Sequence, residues 1–181
     1  MRHTVHKLFC VWDFDKEEKW LNEMSARGMQ LAAVGFCKYL FDDGEPGGYC
    51  VRLELLDNWP TRPESEKYIR FVEDTGAQYL GSVLRWVYFR KKASEGGFDL
   101  FSDIDSRIRH LKRIFSLVGL LGVLVLCSGA YNGLFGYLRS GRTADLISGI
   151  LGLLLGILLA FGFVRIYRKF LRLKKERTLH E

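Results

Sequence analysis

Few residues of this chain stand at spacings that do chemistry. His3 and His6 are three apart, but on a strand or terminus two such imidazoles do not converge on one metal ion. Asp13 and Asp15, Glu17 and Glu18, and Asp42 and Asp43 are acidic pairs that could serve acid–base work. Helix capping and a solvated hairpin account for them as well. Cys10, Cys37, Cys50 and Cys127 contain no CxxC pair. They fit neither a zinc site nor a secreted disulfide framework and read as buried, reduced thiols. There is no phosphate loop, HExxH or GxSxG, and no recognisable Cys–His or Ser–His pairing. No cofactor, metal ligand or catalytic residue is therefore assigned, and the chain reads as a non-enzyme.

One candidate binding face remains. Arg52 and Glu54 alternate with Val51, Leu53 and Leu55 along a strand, and Trp86 and Tyr88 share a face of a later strand. In a fold with helices on one side of a sheet, the other side is open. Aromatics beside a charge pair there suit a ligand or partner. The same face could equally pack on a terminal strand, the juxtamembrane helix or a second copy of the chain.

The elements that must position these residues follow from periodicity. "HTVHKLFCVW" reads as a strand. "DKEEKWLNEMSARG" reads as a helix with Asp15 and Glu18 as a capping pair and Gly28 as its stop. "MQLAAVGFCKYLF" and "YCVRLELL" read as strands around the turn "DDGEPGG". "SEKYIRFVEDTG" is a second helix, preceded by a Thr61–Glu64 capping pair, and "AQYLGSVLRWVYFRKK" closes with strand. "EKWLNEMSARGMQ" (Glu18–Gln30) repeats as "EKYIRFVEDTGAQ" (Glu66–Gln78) at an offset of 48. Two β-α-β units in tandem predict an α+β, ferredoxin-like β-α-β-β-α-β domain over residues 1–95. Trp20, Leu21 and Met24, with Tyr68, Ile69 and Val72, form the expected buried stripes.

Charge and hydropathy then divide the chain. Residues 1–98 carry 14 Lys/Arg and 15 Asp/Glu; residues 99–181 carry 13 and 6. Residues 114–138 and 146–164 hold no charge, and each is long enough as a helix to cross a bilayer core of about 30 Å. Neither shows a polar face, so a two-helix transmembrane hairpin is predicted: 114–138, an extracytoplasmic loop 139–143, and 144–166. A linker helix over 96–113, capped by Ser102 or Asp103, precedes it, and a basic tail over 167–181 follows. Eleven Lys/Arg flank the spans and two, Arg139 and Arg142, lie between them. Both termini are therefore expected in the cytoplasm of a multi-pass cell-membrane protein. The basic flanks favour anionic lipid headgroups rather than nucleic acid. Ser148, Gly152, Gly156 and Ala160 recur every four residues, and Gly129 and Gly133 stand on the other helix. Small residues so spaced let backbones approach, within the hairpin or between subunits of a homo-oligomer or with another membrane protein. Asn132 is expected to hydrogen-bond across the pair.

"FDKEEKWLNEMSARGMQL", "GEPGGYCVRLELL" and above all "YIRFVEDTGAQYLGSVLRWVYFRKKASEGGFDLFSDIDSRI" resemble domain-of-unknown-function family 2812. The resemblance covers about residues 5–110. It implies a bacterial, membrane-anchored protein with a cytoplasmic domain before the spans, often encoded beside PadR-type regulators, in a regulatory or stress-response setting. It supplies no catalytic residues. The expected function is a membrane-anchored cytoplasmic binding, sensing or interaction module. An accessory subunit of a transporter and a membrane-bound enzyme are the alternatives.

Overall fold

The structure is a computed structural model that describes residues 1–100 and 104–180. The chain divides into two compact units, Met1–Asp103 and Ile104–Glu181. The Ser102/Asp103 cap expected for the linker helix lies outside the described residues.

The first unit is mixed α/β with six strands. β1 (Arg2–His6), α1 (Phe14–Ala26), β2 (Met29–Gly35) and β3 (Lys38–Asp43) form one repeat. β4 (Tyr49–Leu55), α2 (Pro63–Asp74), β5 (Gln78–Val83) and β6 (Trp86–Lys92) form the other. The strands make two antiparallel sheets, ordered β1-β3-β2 and β4-β6-β5. This corrects the ferredoxin-like order: "MQLAAVGFCKYLF" and "AQYLGSVLRWVYFRKK" are hairpins, not single strands. Their turns, Phe36–Cys37 and Leu84–Arg85, contain no Gly, Asn or Pro to announce them. Cys37 (φ 53°) and Leu84 (φ 57°) take the left-handed conformation instead, at a cost of about 1–2 kcal/mol each.

The repeat extends well beyond its sequence match. β2 has a bulge between Leu31 and Ala33, and β5 has one between Tyr79 and Gly81, again 48 residues apart. Both helices stop at glycines of positive φ, Gly28 (85°) and Gly76 (91°), which end a helix without the strain of a Cβ. The capping pairs are not made. α1 starts after Asp13 and α2 after Arg62, neither with a side-chain cap. Glu18 reaches a strand, and Glu64 accepts from Asn58 Nδ2 at 3.1 Å.

Alternate residues of β6 serve two cores. Tyr88 joins Val51 and Leu53 in a core with Leu21 and Met24 of α1 and Leu31, Tyr39 and Phe41 of the first sheet. Val87 and Phe89 face the other way, onto Ile69 and Val72 of α2 and onto Phe98. The two helices thus cover opposite faces of β4-β6-β5, where the sequence predicted one face. The sheets meet at β2 and β5, and Arg90 Nη1 of β6 donates to the Leu31 carbonyl at 2.7 Å.

A polar stripe of α1, adjacent to its apolar stripe, lines the free edge of β4. Val51 N–H donates to Asn22 Oδ1 at 2.9 Å, and Asn22 Nδ2 donates to the Val51 carbonyl at 3.0 Å. Leu53 N–H donates to Glu18 Oε2 at 3.2 Å. Buried Ser25 lies 2.6 Å from the Tyr49 carbonyl and 2.7 Å from Gln30 Oε1. A strand edge otherwise open to another chain is closed by side chains.

The second unit is an antiparallel helical hairpin. α3 (Ile104–Ala130) runs through a π turn (Tyr131–Gly136) into α4 (Tyr137–Ser140), and α5 (Thr143–His180) returns. Both arms are long and apolar enough to cross a membrane. Gly141, at φ 64°, makes the tip. Arg177 pairs with Asp105 at 3.1 Å at the far end, and Phe115 packs on Phe163, Tyr167 and Phe170.

The glycine seam differs from the predicted four-residue ladder. Gly129 faces Gly152 and Gly149, Gly133 faces Gly149, and Gly156 meets Leu126. Ser148 and Ala160 are exposed, and Ser148 Oγ donates to the Asp145 carbonyl. Covered positions on α5 include Gly149, Gly152, Gly156, Leu159, Phe163 and Ile166, in alternating steps of three and four, with buried Gly162 beside Phe163. A four-residue stripe drifts about 40° per step and leaves the contact line, whereas the alternation stays on it. Asn132 bonds within its own helix, to the Ser128 carbonyl at 3.0 Å. A widened π turn and its own preceding turn satisfy the amide that was expected to cross the pair.

Candidate functional site

The four residues of the predicted binding face do not share one. In the β4–β6 ladder Leu53 stands opposite Tyr88 and Leu55 opposite Trp86, while Arg52 and Glu54 stand opposite Phe89 and Val87. Trp86 and Tyr88 therefore project with Leu53, away from Arg52 and Glu54. Arg52 pairs with Glu18 at 3.3 Å. Buried Glu54 accepts from Tyr68 Oη of α2 at 2.5 Å. Both are tied into the domain's own packing.

The other acidic pairs are structural as well. Asp42 holds Arg2 across the β1–β3 ladder at 2.9 Å, and the Arg2 guanidinium lowers its pKa. Asp43 lies 2.7 Å from His3 Nε2. Lys16 pairs with Asp13 at 2.9 Å. Among the described residues no three His, Cys, Asp or Glu gather as a metal site.

Trp86 and Tyr88 lead to a different site, a cavity of about 120 Å³. The β2–β3 and β5–β6 hairpin tips form two of its walls and the Lys7–Val11 segment a third. Its mouth is apolar and open: Leu8, Phe36 and Leu84 are 72%, 79% and 65% exposed. Phe14 stacks on Trp86 at a centroid separation of 5.6 Å. Both left-handed turn residues, Cys37 and Leu84, line it, so backbone strain is concentrated where the walls meet solvent.

Glu17 belongs to the same cavity and is only 8% exposed. Tyr39 Oη of β3 donates to Glu17 Oε1 at 2.7 Å, and Tyr88 Oη of β6 donates to the same oxygen at 2.6 Å. One hydroxyl comes from each sheet, and α1 carries the carboxyl between them. Burial raises the Glu17 pKa above its ordinary value, against the two tyrosine hydrogen bonds, which lower it. Burial and the neighbouring carboxylate raise both phenols far out of the working range, so they act as donors.

Glu17 sits beside a predicted capping pair in the sequence, and nothing local distinguishes it from Glu18. Its signal was the apolar stripe: position 17 falls in line with Trp20, Leu21 and Met24 on the helix. A charged residue on that stripe must be buried, and a buried carboxyl needs donors. The cysteines are half-buried except Cys127, which is exposed, and Cys10 and Cys37 both line the cavity.

On the second unit, Arg165, Arg168, Lys169 and Arg172 line a shallow groove along α5 whose apolar end is Phe161 and Val164. Basic and apolar surface thus meet within one helical turn.

A family model described as "Protein of unknown function (DUF2812)" matches residues 13–123, from the start of α1 into α3. No curated protein and no solved structure matches the chain.

Proposed function

The chain belongs to the DUF2812 family, a family of unknown function, and from that premise we propose that it is a membrane-anchored binding and sensing module. Its globular unit takes a small molecule between the two hairpin tips, and its helical hairpin spans the membrane with both termini in the cytoplasm. The observation that carries this reading is the cavity itself: an open apolar mouth, strained walls and a buried carboxyl at one place. Soluble domains leave such apolar surface uncovered chiefly where something binds.

Several features favour anchoring over other roles for the hairpin. Basic residues crowd the two flanks of the hairpin and are few at its tip, as in hairpins with both flanks in the cytoplasm. The basic groove of α5 adjoins apolar surface, as anionic headgroups require. The glycines face each other inside the hairpin, which argues against their use in docking to a transporter.

The test of the site is thiol protection. Cys37 and Cys10 in the membrane-embedded full chain should react with a small maleimide, and occupancy of the cavity should slow them, with Cys127 as the internal control. A panel of small apolar molecules that leaves the Cys37 and Cys10 rates unchanged would remove the cavity as a binding site. The orientation is tested separately: a cysteine at Ser140, in a chain whose own cysteines are replaced, should react with an impermeant thiol reagent in intact cells. Labelling only after lysis would invert the topology.

A further inference from the structure

We propose that the ligand of this cavity is a protonated primary or secondary amine with an apolar body of about one ring, its ammonium seated on Glu17 Oε2. The inference rests on the binding role proposed above and names the chemistry of the ligand.

Four observations point the same way. Both tyrosine hydroxyls reach Glu17 Oε1, and no described residue hydrogen-bonds to Oε2. The second oxygen of a carboxyl more than nine-tenths buried is thus an acceptor left for a donor from outside. Next, among the described residues no basic side chain forms an ion pair with Glu17. Among the described residues Lys7 is the one basic side chain lining the cavity. It is exposed, and its Nζ lies over the Phe9 and Trp20 rings at 4.9 and 4.4 Å. A buried carboxylate without a counter-charge is costly, and a ligand cation supplies one. Third, Phe9, Phe14, Tyr39, Trp86 and Tyr88 line the space around the carboxyl. Aromatic faces attract cations and repel anions, and an aromatic box around a carboxylate is a chemistry suited to alkylammonium groups.

Size supplies the fourth. An apolar cavity of about 150 Å³ holds benzene, so about 120 Å³ admits one ring or a short branched chain and excludes a nucleotide or flavin. A longer body would emerge between Phe36 and Leu84, whose exposed side chains extend the apolar path outward.

Oε2 accepts one hydrogen bond from the ammonium, and the remaining N–H bonds stay with water or meet the ring faces. No covalent step is involved.

The experiment is calorimetric titration of the full chain in detergent micelles with three probes of one shape: benzylammonium, benzyl alcohol and benzoate. Benzylammonium should bind at least about tenfold more tightly than benzyl alcohol, as expected for a hydrogen bond to a charged group, and benzoate should bind least. Glu17→Gln should abolish the preference for benzylammonium over benzyl alcohol. Equal binding of all three probes, or a preference for benzoate drawn by Lys7, would overturn the cationic ligand and leave the cavity as a binding site. No binding by any probe would remove both. The three probes decide the matter on the native chain even where Glu17→Gln fails to fold.

Discussion

Asn22 and Val51 exchange two hydrogen bonds, so one side chain of α1 stands in for the strand that β4 lacks on its outer edge. Asn22→Ala should destabilise the globular unit by about 1–3 kcal/mol, since both backbone groups of Val51 lose their partner. Hydrogen exchange on the full chain should show the Val51 amide losing protection ahead of its neighbours in β6. An unchanged Val51 amide would mean that water replaces the side chain without penalty.

Phe98 is buried against Val87, Phe89 and α2, with Leu100 packed beside it. The globular unit therefore ends beyond residue 95, the limit predicted for it. A fragment of residues 1–103 should unfold cooperatively in denaturant. Phe98→Ala should cost it about 3 kcal/mol, and a fragment ending at Ala93 should lose at least as much. Equal stability of the two fragments would show that the second core closes without this segment.

Tyr39, Tyr88, Lys7, Cys10 and Cys37 are the titratable groups that line the cavity with Glu17. Burial raises its folded pKa above the ordinary 4.5, so the folded state holds the proton more tightly than the unfolded chain does. Its stabilising contribution is full below pH 4.5 and is lost as pH rises through the raised value. Unfolding followed from pH 4 to 8 should show this fall, and Glu17→Gln should flatten it and make the empty domain more stable at pH 7. A bound amine should reverse the trend, binding more weakly as pH drops through the same range.

Leu84 spends strain at the mouth of the cavity, at φ 57°. Leu84→Gly should relieve about 1–2 kcal/mol of it, less about 0.5–1 for the glycine's greater freedom when unfolded. The melting temperature should hold or rise while affinity for an apolar ligand drops. Loss of stability instead would place Leu84 in the packing of the tip.

Gly149 and Gly152 lie against the backbone at Gly133 and Gly129, where a Cβ on Gly152 would come within 2.8 Å of Gly129 Cα. Gly152→Leu and Gly149→Leu should force the helices apart at a cost of about 1–3 kcal/mol or more. Ser148→Leu and Ala160→Leu, on exposed positions, should leave the hairpin as stable as before. Resistance of the detergent-solubilised chain to heating and to proteolysis between the arms reads the difference. Equal damage from Ser148→Leu would restore the four-residue ladder.

Local and periodic features were legible in the amino-acid order because each is decided by a residue and its near neighbours. Two uncharged runs of bilayer length, the helices stopped by Gly28 and Gly76, and the 48-residue repeat all belong to this class. The two hairpin turns were hidden because Cys37 and Leu84 adopt left-handed backbone without a glycine to signal it. Only the length of the runs, 13 and 16 residues where a strand averages 5–6, could have revealed them. Missing those turns misassigned the strands and, with them, the faces of the sheet. The sequence shows the small residues of each helix, Gly129 and Gly133 on one and Gly152 and Gly156 on the other, but the register of the seam depends on how two helices stay in contact over many turns. Glu17 shows the limit most clearly. The stripe on α1 says that its carboxyl is buried. That two hydroxyls 49 residues apart converge on one of its oxygens and leave the other to a cavity depends on both sheets closing around one helix, which no local pattern encodes.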